Sequence, residues 1–141
     1  MGYTIGTMLN PFPDLLALAF FAPFFVRLGT GIVFLSFAFA HAKNRTALET
    51  SIKRHFEFLT FAPWLLIGAE GLIAIALIAG FYTQVAALVG IILCIKLPFV
   101  ARWYKQEAFA PHDRLLYILL GLASLSLMVS GAGAFAIDLP L

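Results

Sequence analysis

Residues 63–102 read PWLLIGAEGLIAIALIAGFYTQVAALVGIILCIKLPFVAR, forty positions interrupted by charge only at Glu70, Lys96 and Arg102. A helix rises about 1.5 Å per residue, so about 20 apolar residues cross a hydrocarbon core about 30 Å thick. Forty is too many for one crossing, and Gly80-Phe81-Tyr82-Thr83-Gln84 is the turn signal inside the block. Two spans joined by a tight hairpin follow, at about 63–80 and 84–102. The same criterion applied outward gives a first span at about 21–42, led in by Leu15 to Phe20 with Pro23 as a bend or first-turn residue, and a last at about 115–137. The predicted fold class is all-α, a four-helix transmembrane bundle forming a single domain.

Composition agrees. Of the 141 residues, 62% are hydrophobic without counting glycine, and 11% are charged, against about 45 to 50% (glycine included) and about 25% in soluble domains. A chain of this size leaves much of its surface exposed, so a soluble monomer is excluded. The single cysteine, Cys94, makes no internal disulfide or CxxC pair. No metal-ligand spacing is present, and scattered basic residues with a net charge of +2 give no nucleic-acid footprint.

Lysine and arginine set the orientation. Lys43, Arg45, Lys53 and Arg54 lie between spans one and two, and Arg102, Lys105 and Arg114 between spans three and four. The first 22 residues, the Gly80 hairpin and the tail after span four carry none, so the connecting segments are expected in the cytoplasm and both termini outside. The N-terminus has no positive n-region, which argues against a cleaved signal peptide. Thr46-Ala-Leu-Glu49 reads as a capping box opening a helix over about 47–60. Leu48, Ile52, Phe56 and Leu59 form its apolar face, expected to rest in the headgroup layer or against the bundle. Trp64, Trp103 and Tyr104 fall at the inner boundary, where aromatic side chains anchor helices.

Arg27, Glu70 and Lys96 lie inside spans, where an ionised group costs at least about 2.5 kcal/mol. Each must face the bundle, find a partner or snorkel. Helical rise places Glu70 about 12 Å and Lys96 about 9 Å above the inner ends of their spans. A Glu70 to Lys96 pair is expected, the alternative being that Lys96 reaches the inner headgroups. Arg27, near the outer start of span one, is expected to pair with Asp138, to snorkel outward or to reach down toward Glu70. Steps of three and four link Arg27, Gly31, Phe34, Ala38 and His41 on span one. On span four they link Arg114, Tyr117, Gly121, Ser124, Met128, Gly131, Phe135 and Asp138. These stripes are packing faces, or they line a cleft containing Arg27, Glu70, Tyr117 and Ser124. His41 and His112 fall near the inner surface, with His55 on the short helix. His41 is a candidate proton relay.

Three segments resemble DoxX-type membrane proteins: Val26 to Leu35, Gly68 to Ala87 with Glu70 at its start, and Ser130 to Asp138. The resemblance covers about residues 22–139. It departs from the family at Phe37-Ala38 and His41, where members often carry a histidine-glycine pair and then a lysine. It implies a four-span bundle of a prokaryotic inner membrane, associated with oxidoreductases, one branch being a subunit of thiosulfate:quinone oxidoreductase. Arg27, Glu70 and Asp138 are the positions it carries over.

The function expected is a small redox-associated membrane subunit that binds a quinone or similar lipophilic ligand. Its candidate polar network is Arg27, Glu70, Lys96, Tyr117, Ser124 and Asp138, with His41 as relay and no metal. The chain carries no cofactor of its own, so electrons require a bound quinone or a soluble redox partner. A homo-oligomer is compatible with this. The alternatives are a non-enzymatic scaffold for a soluble partner, docked through residues 43–54 and 102–114, and a small-solute or proton carrier using Glu70 and Lys96.

Overall fold

The computed structural model describes residues 18–54, 61–105 and 107–137. They are helical, with no strand among them: α1 (Ala22–Lys43), α2 (Arg45–Lys53), α3 (Ala62–Ala79), α4 (Thr83–Tyr104) and α5 (Arg114–Ser130), with a 3-10 turn at Glu107–Phe109. α1, α3 and α4 are long and apolar enough to cross a membrane. α5 has 17 residues and is therefore about 25 Å long, shorter than the span expected over 115–137.

The helix ends follow from local chemistry. α1 and α3 each begin with a proline in the first turn, Pro23 and Pro63, where the fixed φ suits a helix and the missing N–H is not needed. α3 stops at Gly80, which adopts φ +70, and the Phe81 N–H closes back onto the Ala76 carbonyl at 2.9 Å. α5 stops at Gly131, φ +77. Beyond it residues 131–137 turn back over the bundle, which ends the last helix seven positions before the expected boundary.

Asn44 alone separates α1 from α2. Its N–H bonds the Ala40 carbonyl and its own carbonyl accepts from Leu48 N–H. Thr46 therefore sits inside α2, its carbonyl accepting from the Thr50 hydroxyl, and Glu49 pairs with Arg45 at 3.3 Å. The capping box does not form. Leu48 is fully buried against the bundle, so α2 packs onto protein. The expected continuation through residues 55–60, His55 included, lies outside the described residues.

α1, α3, α4 and α5 make a closed ring in which each packs against two neighbours in that order. Neighbours run antiparallel, so the ends of α1 and α4 and the starts of α3 and α5 meet at the side that carries Lys43, Arg45, Lys53, Arg54, Arg102, Lys105 and Arg114. The surface between the ends is apolar: Phe25, Ile32, Phe39, Leu72, Ile95 and Val129 are all exposed. The interior holds Phe34, Phe37, Leu77, Leu97 and Leu127 together with the buried polar side chains Arg27, Thr30, His41, Glu70 and Ser124. Burying charge while exposing aliphatic and aromatic side chains is unfavourable in water and favourable in hydrocarbon.

Candidate functional site

The stripe on α1 delivers Arg27, Gly31, Phe34, Ala38 and His41 to the interior, and all five are buried. Gly31 lets α3 approach closely, since a Cβ there would meet Ile78 Cγ1 at 2.7 Å. This brings the inner turn of α1 alongside the middle of α3. His41 Nδ1 lies 2.8 Å from Glu70 Oε2, with both side chains inaccessible. His41 Nε2 lies 3.3 Å from the Phe109 carbonyl oxygen.

The partners fix the proton count. A carbonyl only accepts, so Nε2 carries hydrogen and donates to Phe109. One further proton lies on the line between Nδ1 and Oε2. On Nδ1 it makes an imidazolium donating to a carboxylate, and on Oε2 it makes a carboxylic acid donating to a neutral ring. Both placements use the same geometry and leave the pair with no net charge, which is what burial in an apolar bundle demands. Glu70 Oε1 makes no hydrogen bond among the described residues. The pair is thus a one-proton store with a free acceptor.

Around it stand Phe37, Cys94, His112 and Tyr117. The Phe37 ring is stacked on His112 at 4.5 Å and tilted against Tyr117 at 4.8 Å. The Tyr117 hydroxyl is buried close to the His112 backbone without a well-formed hydrogen bond, and it feels the Glu70 carboxyl electrostatically, as does the Cys94 thiol. His112, in the connection before α5, has its pKa held below the ordinary histidine value by burial and then by His41. Ser124 is buried two turns beyond Tyr117 along α5, beside Gly90 and Phe34.

Two openings lead outward. An apolar groove of ≈ 440 Å³ runs between α4 and α5, lined by Cys94, Pro98, Arg114, Tyr117, Gly121 and Leu125 among others. It opens on the outer, apolar surface of the bundle. Pro98 lies within α4 and has no N–H for the Cys94 carbonyl, so a backbone acceptor is released beside the groove. At the basic end of the bundle the groove adjoins a cleft of ≈ 770 Å³ lined by Arg102, Lys105, His112, Asp113 and Arg114, among others.

The sequence-derived network separates into parts. Glu70, Tyr117 and His41 come together, and Ser124 lies about 10 Å farther along α5 from Tyr117. Arg27 belongs elsewhere: its guanidinium lies against Gly80 and donates to the carbonyls of Ala132 at 2.8 Å and of Ala134 and Phe135 at 3.3 Å. Glu70 is ten residues along α3 from Gly80, about 15 Å away, so Arg27 and Glu70 do not share a cleft. Lys96 is exposed on α4 and does not pair with Glu70, whose partner is His41. Asp138 lies outside the described residues. No group of three or more His, Cys, Asp or Glu is placed to hold a metal among the described residues.

His41 sits deeper than its position two residues before Lys43 suggests because residues 107–113 fold beneath it. Its place on the stripe of Arg27 is the signal that it faces inward. Nothing in the sequence singles out His112 or Cys94 for this neighbourhood. No family model, curated protein or solved structure matches this chain.

Proposed function

We propose that the protein is a four-span inner-membrane protein of DoxX type. In this reading it binds a quinone, or a lipophilic carbonyl compound like it, beside Glu70 and His41 as the membrane subunit of a redox system. The observation that carries the reading is the buried Glu70–His41 pair standing next to Tyr117 and Cys94, which line a groove open to the lipid side. A fourth crossing by α5 fits the apolar positions Leu115, Ile118, Leu122, Leu125 and Val129, all of which point outward. Residues 131–137, held by Arg27, supply the remaining depth.

The residues present suit such a ligand. Tyr117 offers an O–H donor without a strong partner, and an oxygen acceptor of the ligand would satisfy it. Glu70 and His41 hold one exchangeable proton in a water-poor interior, with Oε1 free. His41 Nε2 points at Phe109, under which the basic cleft opens, giving that proton an exit toward the inner side. A quinone, when bound, supplies the redox chemistry. The chain's own groups orient it and manage the proton, and a soluble partner at the basic end supplies or removes electrons.

Mass spectrometry of gently extracted protein tests the reading. A co-purifying quinone is expected, lost from Tyr117→Phe and from Glu70→Gln while both variants remain folded. A co-purifying protein with no small molecule would replace this reading with a scaffold, and proton-coupled flux into vesicles would replace it with a carrier.

A further inference from the structure

The groove and the cleft are one continuous surface, because Pro98 and Arg114 line both. Its upper part is hydrocarbon: Ile91, Ile95, Ile118, Gly121, Leu122 and Leu125. Among the described residues its lower part carries Arg102, Lys105 and Arg114 against one acid, Asp113. Both volumes fall in the range of ligand sites, about 300 to 1,000 Å³. An apolar channel ending in three cations at the headgroup level has the polarity of one kind of molecule, a chain of hydrocarbon with an anionic head.

We infer that this surface is a binding site for an anionic phospholipid, its phosphate held by Arg102, Lys105 and Arg114 and one acyl chain lying between α4 and α5 over Gly121. Basic pockets between helices on the cytoplasmic side bind phosphate headgroups by this charge pairing. Arginine adds bidentate donors that a phosphate can accept from, and two of the three cations are arginine. Gly121 supplies the room. A Cβ there meets only Cys94 Cβ, at 3.6 Å, so alanine fits and a larger side chain intrudes on the groove.

Tyr117 lines the same groove, so such a lipid and a quinone exclude one another there. The inference deepens the proposed function by naming what guards the mouth of its site. It concerns lipid retention, which is measured separately from quinone binding, so one can fail while the other stands.

Native mass spectrometry of the intact protein from nanodiscs of mixed phosphatidylglycerol and phosphatidylcholine reads the site directly. One phosphatidylglycerol is expected to be retained in preference to phosphatidylcholine. The triple variant Arg102→Gln, Lys105→Gln, Arg114→Gln is expected to bind it roughly a hundredfold more weakly, at about fivefold per cation. Lys43→Gln, Lys53→Gln, Arg54→Gln removes the same charge outside the cleft and is expected to leave binding unchanged. Inorganic phosphate in millimolar excess is not expected to displace the lipid, since it lacks the chain. A phosphatidylglycerol with a photoreactive acyl chain is expected to label the wild-type groove walls, residues 91–98 of α4 or 114–125 of α5, a result that needs no variant to fold. Equal loss in the two triple variants, displacement by inorganic phosphate, or labelling elsewhere would overturn the inference.

Discussion

His41 Nδ1 and Glu70 Oε2 face each other across 2.8 Å, both side chains closed off from the surface. Removing one partner strands the other. Glu70→Leu and His41→Leu are each expected to destabilise the protein by about 3 kcal/mol, the usual penalty for breaking a buried pair. The double variant replaces both groups with hydrocarbon and is expected to be more stable than either single one, the coupling between neighbours that contact makes non-additive. Thermal unfolding of the four proteins in one detergent closes the cycle. Additive losses would mean that the two groups do not act as a pair.

Arg27 ties the first helix to the turn after the last. Its three carbonyl acceptors lie in residues 132–135 and its guanidinium also covers the Phe24 ring at 5.5 Å. Arg27→Gln is expected to cost about 2 kcal/mol, the order of a charge-assisted hydrogen bond lost from a buried site. The loss should be local. A cysteine placed at Ala134, which is buried, is expected to react with a soluble maleimide faster in the Arg27→Gln background, while the native Cys94 stays protected in both.

Much of this arrangement is written in the periodicity. Steps of three and four from Arg27 pick out five of the seven buried residues of α1, missing Thr30 and Phe37, and the same steps through Gly90, Cys94 and Leu97 leave Lys96 off the buried face of α4. Depth arithmetic chose Lys96 for Glu70 because it took helix ends to be level. It could not anticipate the segment 107–113 folding under α1 and burying His41. The end of α5 was equally hidden: the apolar run continues through Ile137, and only the positive φ of Gly131 and the grip of Arg27 on the following carbonyls reveal a turn. Hydrophobicity fixes which residues avoid water, and says little about which of them remain helical.

Glycines divide into contacts and spacers. A Cβ at Gly80 would overlap the Arg27 guanidinium, and the residue also needs φ +70. A Cβ at Gly90 would press on Phe34 Cζ at 2.8 Å, whereas Gly29, Gly68 and Gly71 have open space. Gly80→Ala is expected to lose more than about 1 kcal/mol from backbone strain alone, and Gly90→Ala a comparable amount from overpacking. Gly68→Ala and Gly71→Ala are expected to be neutral or slightly stabilising. Melting temperatures of the four variants in detergent rank them, and an equal effect at all four would refute the helix contacts described.

The bundle's basic end should face the cytoplasm. Tyr82 and Lys105 are both exposed and lie at opposite ends of α4. With Cys94 buried, a membrane-impermeant maleimide should label Tyr82→Cys in intact cells and Lys105→Cys only after the membrane is opened. The opposite pattern would invert the orientation.

His112 gives the protein an acid limit. Burial disfavours its imidazolium, and His41 adds to the effect. Its folded pKa therefore lies below the unfolded value of about 6.5. The unfolded chain binds the proton more readily, so the contribution of neutral His112 is complete above about pH 6.5 and is lost as pH falls below it toward the folded pKa. Unfolding temperature measured from pH 8 to pH 5 should decline on the acid side. In His112→Phe, which keeps a flat ring against Phe37, the decline over that window should be shallower. The relevant quantity is the difference in slope, because groups common to both proteins cancel. An identical acid-side slope in the two proteins would show that His112 titrates as freely folded as unfolded, and that its stacked position on Phe37 carries no electrostatic cost.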